Sequence, residues 1–150
     1  MFKMTRWNRS LLFAPLLATA ALVAACDDDS TEPEDDPADA IVEMRLNIAS
    51  VTVTIDRGGN VTPGQLNFGP GIGTISATFV DSEGATVTGL DEFELRVTFD
   101  DPFMTYESTG PFTGTLTNVS AGTTQVRFAL YHIEEMHEDF GPFALTITTL

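Results

Sequence analysis

The residues best suited to chemistry are gathered in one stretch, His132-Ile133-Glu134-Glu135-Met136-His137-Glu138-Asp139, which holds both histidines of the chain and four carboxylates. Imidazole and carboxylate together form the ligand set that suits zinc, nickel, copper or manganese. His132, Glu134, Glu135, His137, Glu138 and Asp139 are therefore the candidate ligands of a divalent transition metal. The histidines are separated by five positions, among residues that favour strand and loop, so this is not the His-Glu-x-x-His helix of a metalloprotease. His132 continues the apolar alternation of Val126, Phe128 and Leu130, which predicts a strand end with a half-sheltered ring. Glu134 would share its face, and His137 would come from the returning loop. Two other readings use the same residues: the carboxylates solvate a long hairpin loop while His132 caps the core, or they favour charged imidazoles and make a protonation switch. A general base and an electrophile cannot be assigned together, so no catalytic residue is named and no enzyme is expected.

The other reactive group is Cys26, the only cysteine. Lys3, Arg6 and Arg9 precede an apolar run from Leu11 to Val23 that contains Pro15 and falls short of the ~20 residues of a bilayer span. Residues 1–25 are accordingly expected to be a cleaved secretory signal. Within it, Leu22-Val23-Ala24-Ala25-Cys26 resembles the lipobox of bacterial lipoproteins. The resemblance implies that the Cys26 thiol receives diacylglycerol, with fatty acids such as palmitate, that the chain is cut before it, and that Cys26 becomes the lipid-bearing first residue. One acyl chain holds a protein only reversibly, at ~0.8 kcal/mol per buried methylene, whereas two or three anchor it stably. The membrane is thus an expected partner and the bacterial cell envelope the expected location. Asp27 resembles an inner-membrane retention signal and the acidic run beyond it resembles a surface-export tether; outer membrane or cell surface is expected ahead of inner membrane.

The charge that surrounds these groups is one-sided. Removing the signal leaves Arg45, Arg57, Arg96 and Arg127 against 22 acidic residues, and no lysine. Such a polyanion is repelled by phosphates and anionic headgroups, which excludes nucleic acid and direct membrane-surface binding. With Cys26 taken by lipid, no disulfide remains to brace the fold. Residues 26–39, rich in aspartate and glutamate and without a large apolar side chain, are expected to be a self-repelling, disordered tether. Lacking the glycine turn and bidentate spacing of a dedicated loop, the run would hold calcium only loosely.

The elements that must position the histidines lie in residues 40–150, enough for one core. Threonine, valine and phenylalanine abound, and no stretch sustains a helical apolar period. Val42, Met44, Leu46 and Ile48 alternate with polar residues; the phase slips at Ala49-Ser50, where a bulge or tight turn is expected, and Val51, Val53 and Ile55 continue. Asp56-Arg57-Gly58-Gly59-Asn60 reads as a hairpin turn. Further strands are expected from Thr74, over Phe93 to Phe99, around Met104 and Tyr106, over Thr113 to Val119, through Val126 to Leu130, and over Phe143 to Thr149. Seven to nine short strands with glycine, proline and aspartate turns predict an all-β antiparallel sandwich with Greek-key connections. The tripeptides Gly110-Pro111-Phe112 and Gly141-Pro142-Phe143 read as two similar strand entries, and the sequon Asn118-Val119-Ser120 as a turn.

Two segments carry a resemblance. Gly73-Thr74-Ile75-Ser76-Ala77-Thr78-Phe79-Val80-Asp81-Ser82-Glu83-Gly84 with Ala85 to Gly89, and Gly114 to Val126, resemble the bacterial immunoglobulin-like modules of surface proteins and intimins. That resemblance implies an immunoglobulin-like sandwich serving as a spacer, an adhesion module or a binder of protein or carbohydrate, without catalytic residues. The expected function is then a lipid-anchored envelope protein with a non-catalytic binding or structural module. The rival is a divalent-metal-binding lipoprotein that uses the segment from His132 to Asp139.

Overall fold

The phase slip at Ala49-Ser50 is a two-residue hairpin turn. Both residues take positive φ, 48° and 74°, the left-handed pair whose twist matches that of the strands it joins. β1 (Glu43–Ile48) and β2 (Val51–Asp56) consequently pair with Leu46 opposite Val53 and Met44 opposite Ile55. Met44, Leu46, Ile48, Val53 and Ile55 thus fall on one buried face, whereas Val42 and Val51 of the same pattern are exposed. Asp56 organises the next turn, where its carboxylate accepts hydrogen bonds from the backbone N–H of Asn60 at 2.9 Å and its side-chain amide at 2.7 Å. β3 (Val61–Thr62) then returns along β2.

The computed structural model describes residues 36–150; the signal, Cys26 and the tether up to residue 35 lie outside the described residues. The remaining strands are β4 (Gln65–Phe68), β5 (Ile72–Val80), β6 (Phe93–Phe99), β7 (Met104–Gly110), β8 (Thr113–Asn118), β9 (Gly122–His132) and β10 (His137–Thr149). They form two sheets, ordered β3-β2-β1-β5-β8-β7 and β4-β10-β9-β6. Within them β1-β5-β8-β7 and β6-β9-β10 reproduce the A-B-E-D and C-F-G strand order of the immunoglobulin sandwich. The all-β expectation holds, and among the described residues the only helical turn is the 3-10 segment Pro37–Ala40, which Asp36 caps and which buries Ala38, so residues 36–39 belong to the folded module and not to the disordered tether expected over 26–39.

Three local expectations need correction. The sandwich is not antiparallel throughout, because β4 pairs parallel to β10, Leu66 beside Ile147 and Phe68 beside Thr149. The chain crosses between the sheets after β3 and reaches the second one running in the direction of the last strand, which a crossover permits and a hairpin does not. The two Gly-Pro-Phe tripeptides have different roles: Gly110 ends β7 and Pro111-Phe112 turn into β8, whereas Gly141 to Phe143 lie in a bulge inside β10, where its register against β9 shifts. Gly141 sits at φ 104°, and a Cβ there would stand 2.7 Å from the Phe128 carbonyl oxygen. The last strand accordingly begins at His137 rather than Phe143.

The facing sides of the sheets close over Met44, Leu46, Ile75, Phe79, Leu116, Phe128, Leu130 and Leu145, all at most 2 % exposed. Arg57 binds the entering chain to this core. Its Nε donates to the Ile41 carbonyl at 2.6 Å and a terminal nitrogen donates to Ala38 at 2.8 Å, while its guanidinium lies 5.7 Å from the centre of the Phe140 ring. Ala38 and Ile41 are buried beneath it.

Phe128→Ala is expected to destabilise the sandwich by about 3–5 kcal/mol, read as a lower urea midpoint, because a fully buried ring is deleted from a strand flanked on both sides. Asn60 and neighbouring backbone N–H groups hold the Asp56 carboxyl below its ordinary value of 3.8. The stabilisation from Asp56 is therefore complete above that value and is lost as pH falls through the lower folded one. The acid side of the melting-temperature profile should be shallower in Asp56→Ala than in the wild type.

Candidate functional site

His132 ends β9 between two neighbours, with Phe93 of β6 opposite it on one side and His137 of β10 on the other. Ile133 to Met136 make the whole connection. Met136 adopts φ 60° and its N–H donates to the His132 carbonyl at 3.0 Å, closing the turn tightly. The expected long loop is therefore a four-residue turn, and His137 comes from the first position of β10 rather than from a loop. Cross-strand pairing then sets the two rings 5.8 Å apart, edge to face. The His132 residue is only 8 % exposed, and its ring stacks on Phe93 at 4.4 Å.

Glu135 leans back from the turn between them. Its Oε2 lies 3.8 Å from His132 Nδ1 and 3.5 Å from His137 Nδ1. Ligand atoms of His132, Glu135 and His137, one from each, all fall within 4.8 Å of one another. Of the other candidates, Asp139 contacts His137 from outside, accepting from Nε2 at 2.8 Å. Glu134 and Glu138 are exposed and outside the cluster. The position expected of Glu134, on the face of His132, is taken by Glu135, because the turn reverses the chain before a strand alternation could continue.

One contributor was not visible in the sequence. Glu92, immediately before β6, places Oε2 3.3 Å from His132 Nε2, and its carbonyl accepts from the Ile133 N–H at 2.9 Å. It is forty residues from His132, so only the β6–β9 register brings it there. Both imidazoles thus have Nε2 against a carboxylate and Nδ1 towards Glu135. An imidazole that gives its Nε2–H to a carboxylate leaves the Nδ1 lone pair bare, the arrangement that orients metal-binding histidines. His132 Nδ1 is buried and has no hydrogen-bond partner, and Asp139 Oδ2 shares that condition.

The surrounding charge is acidic and uncompensated. Arg45 pairs with Glu43, Arg127 with Asp100, Arg57 with backbone carbonyls, and Arg96 lies over the Tyr131 ring at 3.2 Å. Among the described residues, no arginine makes an ion pair with the hairpin carboxylates. The Asp139 hydrogen bond holds His137 above the ordinary imidazole value of 6.5; burial opposes it, and the charges of Asp139 and Glu135 add to it.

A pocket of about 450 Å³ opens at the same end of the sandwich, lined by Phe79, Val87, Leu90, Pro111 and Phe112 with several threonines and Asp91. Leu90 and Asp91 form part of its wall, while the next residue, Glu92, faces His132. The β5–β6 connection therefore contributes to both, lining part of the pocket with Leu90 and Asp91 and reaching the histidine hairpin through Glu92.

In chelator-treated protein the His137 ring should titrate above 6.5, and Asp139→Asn should lower that value, as followed by NMR of the ring protons. Because the folded value is raised, the stability contributed by His137 is complete below 6.5 and lost as pH rises through the folded value. Asp139→Asn should flatten that part of the melting-temperature profile.

Comparison with protein families and with curated proteins finds no match to this chain.

Proposed function

We propose that this chain is a lipid-anchored protein of the bacterial cell envelope whose immunoglobulin-like sandwich is a non-catalytic binding module, with its ligand face at the end formed by the β5–β6, β7–β8 and β9–β10 connections. The observation that carries the reading is the shared wall at Leu90 to Glu92, which puts an apolar pocket and an imidazole–carboxylate cluster side by side at one loop end. In immunoglobulin sandwiches this end also presents binding loops. A volume of about 450 Å³ lies in the range of roughly 300–1,000 Å³ of small-ligand sites. Phe79 and Phe112 supply apolar surface, and Thr78, Thr86, Thr88, Thr113 and Asp91 supply polar groups. That lining suits a segment of carbohydrate or a side chain of a partner protein.

The anchor follows from Cys26 and the signal before it. Asp27 to Asp35 follow Cys26, six of these nine residues acidic. Their acidity would keep the module off anionic headgroups.

Wild-type protein should sediment with membranes and require detergent for release, its first residue Cys26 heavier by the mass of its acyl groups. Cys26→Ala should leave the membrane fraction, and its retention there at wild-type levels would refute the anchor. The binding face has its own test. A photo-reactive residue introduced at Thr88, on the pocket rim, should cross-link envelope protein or glycan in intact cells more strongly than one at Thr52, on β2. Equal labelling at the two positions would overturn the loop-end assignment.

A further inference from the structure

We infer that the β9–β10 hairpin is a binding site for one divalent transition-metal ion of the zinc class, ligated by His132 Nδ1, His137 Nδ1 and the Glu135 carboxylate. Metal–ligand bonds of about 2.0–2.2 Å place tetrahedral ligands roughly 3.3–3.6 Å apart. Glu135 Oε2 already stands 3.5 Å from one imidazole nitrogen and 3.8 Å from the other. The three ligand atoms lie within 4.8 Å of one another, so a coordination shell needs the exposed Glu135 and His137 side chains to close inward on the fixed ring of His132. The donor set of two imidazoles and one carboxylate suits zinc, copper or nickel rather than calcium or magnesium, which prefer oxygen.

The independent observation is the buried orphan. His132 Nδ1 lies in a side chain nine-tenths covered and has no hydrogen-bond partner. Its ring cannot turn away without giving up the Phe93 stack and the Glu92 contact. A buried polar atom without a partner costs free energy that a ligand can recover. Glu92 and Asp139 stand where outer carboxylates of metal-bound histidines stand, on the nitrogen remote from the ion. Three ligands leave a fourth position of a tetrahedral ion for water or for a donor of the bound partner.

The ion site rests on the loop-end reading but not on the lipid of Cys26, so membrane fractionation and metal binding succeed or fail separately. The test is a titration of Zn²⁺ into the full chain, purified in non-ionic detergent and stripped with chelator, against a competing chromophoric chelator. The chain has only two histidines, so two sets of imidazole NMR signals report the site directly. One equivalent of Zn²⁺ should shift both sets. Affinity should fall at least tenfold in His137→Ala and in Glu135→Ala, both changes at exposed positions that leave the core intact. Asp139→Asn should weaken it about 10- to 100-fold, and Glu134→Ala should leave it unchanged. Equal Zn²⁺ affinity in wild type and His137→Ala would overturn the site. So would binding that leaves both imidazoles unshifted, which would place the ion on the acidic stretch 27–39, and so would equally effective competition by Ca²⁺.

Discussion

β9 is hydrogen-bonded to β6 on one side and to β10 on the other, and its register governs both the core and the loop end. Val126, Phe128 and Leu130 face the opposing sheet with no exposure, and His132 is the next residue of that face. The same alternation that fills the core therefore delivers a polar ring to its rim. A slip of one residue would send the apolar side chains to solvent and separate His132 from Phe93 and His137 together. Because the penalty for such a slip is the loss of the core, the geometry of the histidine pair inherits the rigidity of the sandwich. Three chain segments, from β6, β9 and β10, meet there without a long loop.

Charge acts in the opposite sense. The hairpin brings Glu135, Asp139 and Glu92 around two imidazoles, and the four arginines of the described residues are committed elsewhere. Crowded carboxylates at the tip would open an isolated hairpin. Here β10 runs through Thr149 against β9, so the repulsion is confined to one end of a long ladder. A proton on His137 relieves part of it, and a divalent cation would relieve more.

Much of the fold was legible because strand alternation and burial are the same physical fact seen at two levels. Phe93 to Phe99 and Val126 to Leu130 show it most clearly. The hairpin at Ala49-Ser50 was legible only as a loss of phase, since neither residue is a usual bearer of positive φ and the conformation is set by β1 and β2 pairing around them. The early part of β10 was hidden for a different reason. His137 to Asp139 are polar and Gly141-Pro142 reads as a break, yet a bulge absorbs the break and the strand continues on both sides. At the site, proximity in sequence served for Glu135 and His137, which a turn brings back beside His132. It misplaced Glu134, because choosing between Glu134 and Glu135 needs the turn geometry. It could not reach Glu92, whose contact exists only through strand pairing.

The same connection that supplies Glu92 also supplies Leu90 and Asp91 to the apolar pocket, so the two features share a backbone segment rather than merely an end of the molecule. The Phe93 N–H donates to the Leu90 carbonyl at 3.2 Å and the Glu92 carbonyl accepts from Ile133. This turn is therefore tied at one side to β6 and at the other to the hairpin. Drawing Glu135 and the two imidazoles together at the hairpin would bear on Ile133, and through it on the turn that lines the pocket. The Ile133 to Glu92 hydrogen bond is a contiguous backbone contact that joins the two features, so the pairing of β9 with β6 fixes the hairpin and the pocket wall together.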